Sequence, residues 1–264
     1  MTTPTTGVVF RPQSPPEELR GAVRAAEEAG VAELWLWEDC FAEGGMSAAA
    51  AALAWSERLM IGVGLFPVPL RNPAVAAMEI ATVARLFPGR FLPGIGHGVL
   101  DWMGQVGARA ASPMGLLREH TAAVHAILAG QTVTTSGTYV TLDAVRLDWP
   151  LSRPQPLLVG GRGPRTLRLA GELADGVILD VDQTPDGVRR QVAEVQQGRE
   201  AAGRADEPFR VVVYVEVDPG APDLADRLAS RAAELGGAGA TSVVFQTPGD
   251  APDPRPVIDA LARS

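Results

Sequence analysis

The chain has 264 residues, 46% of them hydrophobic, a net charge of −8 at pH 7 and an isoelectric point near 5.0. That is enough apolar content to bury about 70–75% of the unfolded surface. The acidic balance argues against a sequence-independent grip on nucleic acid or anionic membrane, which needs clustered cations.

All 23 basic residues are arginine. Schiff-base aldolases, pyridoxal-phosphate enzymes and Walker-type P-loop enzymes each need a lysine amine, so those classes are excluded. The one cysteine, Cys40, cannot form an internal disulfide. The opening "MTTPTTGVVFRPQ" moves directly into a strand and a proline turn, without a basic-then-apolar leader. A cytoplasmic location is expected. Every apolar stretch is shorter than the roughly 20 residues of a membrane helix, so no span is expected.

In chain order, β-like apolar runs occur at 7–10 (GVVF), 33–37 (ELWLW), 59–66 (LMIGVGLF), 90–95 (RFLPGI), 156–160 (PLLVG), 176–180 (GVILD), 210–217 (RVVVYVEV) and 241–246 (TSVVFQ). Each precedes a helix candidate: 15–29, 46–55, 73–87, 113–129, 164–174, 186–202, 222–235 and 254–263. Near-continuous apolar strands point to a parallel sheet buried on both faces. Eight strand–helix units predict an α/β fold of the (β/α)8 TIM-barrel type, one domain over 1–264, rather than a doubly wound sheet. One segment breaks the alternation: residues 132–147, β-branched around Ser136-Gly137, predict a hairpin inserted before the fifth strand and outside the barrel.

A barrel places function in the loops after its strands. These loops carry Glu38, Asp39 and Cys40; Pro67, Pro69, Arg71 and Asn72; His97, Asp101 and Trp102; "GGRGPR"; Asp180 with Asp182; Glu216 with Asp218; and Gln246. The turn at Gly161, Arg162 and Gly163 leads into a helix starting at Pro164, where proline is favoured because its missing N–H would be unpaired anyway. Free N–H groups and the helix dipole make that turn either an anion site or a tight strand-to-helix connection. Gly94, Gly96 and Gly98 either admit a flat ring against bare backbone, with His97 and Trp102 beside it, or serve close packing. Two carboxylates at a strand mouth, Glu38 and Asp39, offer acid–base chemistry or are solvated loop charges. His120 and His125, five apart on a helix, lie on different faces, so no metal is assigned.

The stretches "AAEEAGVAELWLWEDCF", "GVGLFPVPLRNPAVAAMEIATVARLFPGRFLPGIGHG" and "LLVGGRGPRTLRLAGELADGVIL" together resemble the luciferase-like monooxygenase family, in particular its members that use the deazaflavin coenzyme F420. The resemblance covers about residues 7–180. It implies a (β/α)8 barrel with the ligand across the strand mouths and a phosphate near strands five and six. It also implies an acid beside the flavin ring at Asp39, Cys40 where many members have histidine, and a non-proline cis peptide between Gly64 and Leu65. His97 and Trp102 then fall at ring- or side-chain-contacting positions, and Gly161, Arg162, Gly163 and Ile178 at the phosphate end. Gly96 and Gly98 let the cofactor lie on the backbone, and Asp39 and His97 are the catalytic candidates. Val99 stands where some deazaflavin-dependent dehydrogenases carry a glutamate.

The expected activity is hydride transfer between F420 and a small organic substrate. The alternatives are FMN-dependent monooxygenation and a cofactor- or partner-binding barrel without catalysis. The small-residue face of the 73–87 helix and the family resemblance lead us to expect a homodimer.

Overall fold

Strands rich in Val, Ile and Leu pair best when both faces are covered, and here they close on themselves. The computed structural model of the protein describes residues 3–181 and 183–263. Strands β1 (Thr5–Phe10), β2 (Glu33–Leu36), β3 (Met60–Pro67) and β4 (Phe91–Gly96) are followed by an antiparallel pair, β5 (Val133–Ser136) and β6 (Thr141–Val145). Strands β7 (Leu158–Gly160), β8 (Gly176–Leu179), β9 (Arg210–Glu216) and β10 (Ser242–Gln246) complete the set. The barrel order is β1-β2-β3-β4-β7-β8-β9-β10, every neighbour pair is parallel, and β10 closes on β1 with Gly7 opposite Val244.

The helices are α1 (Leu19–Glu28), α2 (Gly45–Ala54), α3 (Pro73–Leu86), α4 (Leu100–Gln105), α5 (Pro113–Leu128), α6 (Pro164–Leu173), α7 (Pro185–Ala201), α8 (Leu224–Gly236) and α9 (Arg255–Leu261). The eight predicted barrel strands are present, each with its helix. The predicted 15–29 helix begins as a 3-10 turn, Pro16–Glu18, because Pro15 and Pro16 cannot donate to a helical ladder. Helix α4 lies in a stretch expected to be loop. The inserted hairpin is held to α5 by Glu119, whose carboxylate accepts the backbone N–H groups of Thr138, Tyr139 and Val140 at 3.1, 2.8 and 2.9 Å.

The two faces of the strands feed two cores. Outward residues such as Val8, Leu36, Ile61, Phe91 and Val213 pack beneath the helices. Inward residues fill the barrel: Val9, Trp35, Leu92, Leu158, Ile178, Val212, Tyr214 and Val244 are buried there, and from β3 only the partly buried Met60 packs against them among the described residues. Strand β3 instead offers Gly62 and Gly64, and a Cβ on Gly62 would come within 2.3 Å of the Trp35 ring. The glycines of β3 thus make room for the bulk on β2 and β9.

At the closed end of the barrel Glu33 is fully buried. Its carboxylate accepts from Trp35 Nε1 (2.8 Å), Ser242 Oγ (2.7 Å), Thr5 Oγ1 (2.7 Å) and Arg210 Nη1 (2.6 Å). Each oxygen is satisfied, the condition under which a buried charge is tolerated. The open end is left for chemistry.

Candidate active site

The carboxyl ends of the strands enclose a cavity of about 740 Å³. Trp37, Glu38 and Asp39 reach it from β2, Gly64, Leu65 and Pro67 from β3, and His97, Gly98, Val99, Leu100 and Trp102 from β4 and α4. The β7–α6 turn contributes Gly160, Gly161, Arg162, Gly163 and Thr166; β8 adds Ile178 and Asp180, β9 Tyr214 and β10 Gln246. Most of the residues singled out in the sequence therefore meet at one wall. Cys40 and Gly96 do not line it, and Asp182 lies outside the described residues.

The glycines of β4 serve the protein's own side chains first. A Cβ on Gly94 would stand 2.5 Å from Ile178 Cδ1, and one on Gly96 would stand 2.4 Å from Leu65 Cδ2. Leu65 fills the space beside the Gly96 α-carbon and itself faces the cavity, so Leu65 presents this part of the wall. Gly160 yields to the same methyl group, at 2.3 Å. Gly98 has φ +69, a left-handed turn that favours glycine, and it does reach the wall. The Gly64–Leu65 peptide is cis, as is Cys40–Phe41, which the sequence did not signal.

The two carboxylates after β2 have different states. Glu38 is held: Arg71 forks onto it, with Nη2 2.8 Å from Oε2, and the Gly45 N–H donates to Oε2 at 2.8 Å. Among the described residues Asp39 has no such partner, and burial raises its pKa against the opposing charge of Arg11. Arg11 is itself anchored on the Thr247 carbonyl (2.6 Å) and Glu216 (3.2 Å), with its guanidinium 4.8 Å from the Trp37 ring centroid. Burial also raises the Cys40 thiol, helped by Glu38 and Asp39, so a thiolate is disfavoured.

His97 Nε2 lies 3.2 Å from Thr166 Oγ1. Burial lowers its pKa, outweighing the Pro113 carbonyl, and the imidazole is neutral at pH 7. At the β7–α6 turn Gly161 N donates to the Ile178 carbonyl at 3.2 Å, whereas the N–H groups of Arg162 and Gly163 have no hydrogen bond among the described residues. They precede α6, whose first residue is Pro164 and whose cap is Gly163. The Arg162 side chain forks onto Asp180, with Nε 3.0 Å from both oxygens, so its charge is already matched.

Leu100, Thr166 and Tyr214 are wall residues that sequence reasoning missed, and Tyr214 is the bulkiest of them. Its ring is tilted against Trp37 with centroids 5.8 Å apart and meets Trp35 edge-on at 5.7 Å. Burial above all raises the phenol pKa well above its ordinary value, so the hydroxyl keeps its proton. The Tyr214 hydroxyl and the Trp37 indole N–H are buried beside each other, and among the described residues neither has a hydrogen bond of good geometry. Poorly paired donors beside a cavity mark a place where a polar ligand edge can be received.

Residues 2–247 match the model of the luciferase-like monooxygenase family. The chain belongs to this family. Among its luciferase-like relatives, a 5,10-methylenetetrahydromethanopterin reductase of Methanolobus tindarius is 25% identical over 210 residues, covering 80% of this chain and 64% of the relative. An F420-dependent glucose-6-phosphate dehydrogenase of Nakamurella multipartita is 29% identical over 209 residues, 72% of this chain and 60% of the relative. The chain thus spans less than two thirds of the length of either. In fold it is similar to the coenzyme F420-dependent tetrahydromethanopterin reductase of Methanopyrus kandleri, with a TM-score of 0.81, 19% identity and 99% and 98% coverage of the two chains. An F420-dependent secondary alcohol dehydrogenase, solved with an F420-acetone adduct, superposes with a TM-score of 0.85 at 17% identity, again with 99% and 98% coverage.

Proposed function

We propose that this luciferase-like chain is an oxidoreductase that binds coenzyme F420 at the open end of its barrel and serves hydride transfer to or from a small organic substrate. The observation that carries this reading is the pairing of a glycine-walled cavity with backbone N–H groups before α6 that have no hydrogen bond among the described residues. Relatives and fold neighbours named for F420 support the choice of coenzyme.

The residues fit an anionic, flat-ringed ligand. The Arg162 and Gly163 N–H groups with the α6 dipole behind them would hold its phosphate. Gly64, Leu65, Ile178 and Tyr214 would back the ring, with the Trp37 and Tyr214 donors available to a polar edge. Bound F420 supplies two-electron, hydride-level chemistry. The protein orients the reactants and excludes water with Leu65, Ile178 and Trp102. Neutral His97 offers a hydrogen bond without a charge, and Asp39, its pKa raised by burial, is the acid–base candidate on the same wall. Cys40 and Gly96 bear on the site only through their neighbours Asp39 and Leu65.

The test is a parallel titration of cofactor-free protein with F420 and FMN, followed by fluorescence quenching. Saturable micromolar binding of F420 without comparable FMN binding is expected. FMN binding alone would move the protein to oxygen-dependent chemistry, and binding of neither would remove the reading.

We also infer a homodimer, because α3 leaves Val75, Met78 and Leu86 exposed in a groove shared with Trp149, itself 74% exposed. A monomer by light scattering across micromolar concentrations would overturn that.

A further inference from the structure

We infer that the substrate half of this cavity takes a small uncharged molecule with an apolar body, and that Val99 and Leu100 set this preference against phosphorylated or carboxylated compounds. The inference rests on the F420 reading, which assigns the anion-holding N–H groups before α6 to the coenzyme.

The first observation is the accounting of charge on the wall. Among the described residues lining the cavity, Arg162 is the one cation with a permanent charge, and both ends of its fork are on Asp180. Glu38 is matched by Arg71, which stands behind the wall. Asp39 is a third carboxylate, and His97 is neutral. An anionic group on a substrate would meet carboxylates and no uncompensated cation, and would lose its water without replacement.

The second observation is the apolar surface held open at the mouth. Val99 and Leu100 are 46% and 40% exposed, and their exposed apolar surface is grouped on one cavity rather than scattered. Both line the cavity at the entrance to α4, with Trp102 on the same short helix and Leu65 and Pro67 from β3. Covering this surface with an apolar body gains transfer free energy that a sugar phosphate cannot supply.

The experiment uses the full chain saturated with F420 and isothermal calorimetry with a matched pair, 2-phenylethanol and 2-phenylethyl phosphate, at low salt. The neutral member should bind at least tenfold tighter. Leu100→Arg places an unmatched cation on the wall and should narrow that preference at least tenfold. Val99→Arg is the second variant should the first not fold, as judged by circular dichroism. Equal or tighter binding of the phosphate by the wild type overturns the inference while leaving the coenzyme reading intact. An unchanged preference in a folded variant overturns the role given to these positions. Failure of F420 to bind in the preceding titration removes the coenzyme reading and this inference with it.

Discussion

The Tyr214 hydroxyl faces the α-carbon of Gly64 so closely that a Cβ there would lie 2.0 Å from the oxygen and 3.2 Å from Ile178 Cδ1. Two strands on different sides of the barrel therefore share one space, and neither residue can change size alone. Gly64→Ala should destabilise by about 1–3 kcal/mol through overpacking. Tyr214→Phe removes the oxygen but leaves the ring carbon 3.0 Å from the new methyl, so the double variant should recover part of the loss. Urea denaturation of the four proteins measures the coupling, and strictly additive costs would contradict the shared space.

The clamp on Glu38 makes a second prediction. Arg71 bridges Glu38 and Glu79, its Nε 3.3 Å from Glu79, and the Glu38 side chain is only 9% exposed. Arg71→Met leaves a buried carboxylate unpaired and should cost about 3 kcal/mol, whereas Arg71→Met with Glu38→Gln should cost less than the single variant. Because Glu38 also holds the Gly45 N–H, loss of the clamp should weaken F420 binding through Asp39 next to it. Chemical denaturation and the coenzyme titration read the two effects separately, and a double variant no better than the single would count against the buried pair.

How much of this was legible in the sequence follows from what periodicity can carry. The barrel strands show as apolar runs because both faces are buried, and that same property hides which residues point inward. Tyr214 sits in "RVVVYVEV", where alternation has no polar phase to read, so its place on the cavity wall was invisible. Helix α4 escaped because six residues span too little for a 3.6-residue pattern, and its cap, Val99, supplies no side-chain hydrogen bond. The glycines of β3 and β4 were conspicuous, but their partners Trp35, Tyr214, Ile178 and Leu65 come from across the barrel, and only closure brings them together.

His97 yields a prediction on pH. Burial moves its pKa below the ordinary 6.5, so the ring stays uncharged when an exposed histidine would begin to protonate. F420 affinity should therefore be flat between pH 8 and 6.5, and His97→Asn should leave that profile unchanged while weakening binding severalfold. A rise in affinity on acidification, with a midpoint near 6.5 and lost in His97→Asn, would show that the ring charges in the site.

Glu43 and His120 place opposing slopes on stability over one pH range. Burial raises Glu43 from 4.5 to about 7, and both its oxygens are buried without a hydrogen-bond partner among the described residues. The fold therefore holds the extra proton between these values, and stability from this group is greatest below pH 4.5 and lost as pH rises through 7. Burial lowers His120 from 6.5 to about 4, its Nε2 3.2 Å from the Arg71 carbonyl. Here the unfolded chain holds the extra proton, so stability is full above pH 6.5 and lost as pH falls through 4. Between pH 4.5 and 6.5 the two slopes cancel. Glu43→Gln should equal the wild type at pH 4.5 and exceed it at pH 8 by on the order of 1 kcal/mol, allowing for solvent screening of a half-buried group. Its stability should then climb with pH across the window, driven by His120. His120→Gln should do the reverse, its disadvantage against the wild type shrinking by at most about 3 kcal/mol as pH falls from 6.5 to 4. Guanidinium denaturation at four pH values tests the pair, and parallel stability curves for all three proteins would show that neither group is perturbed by the fold.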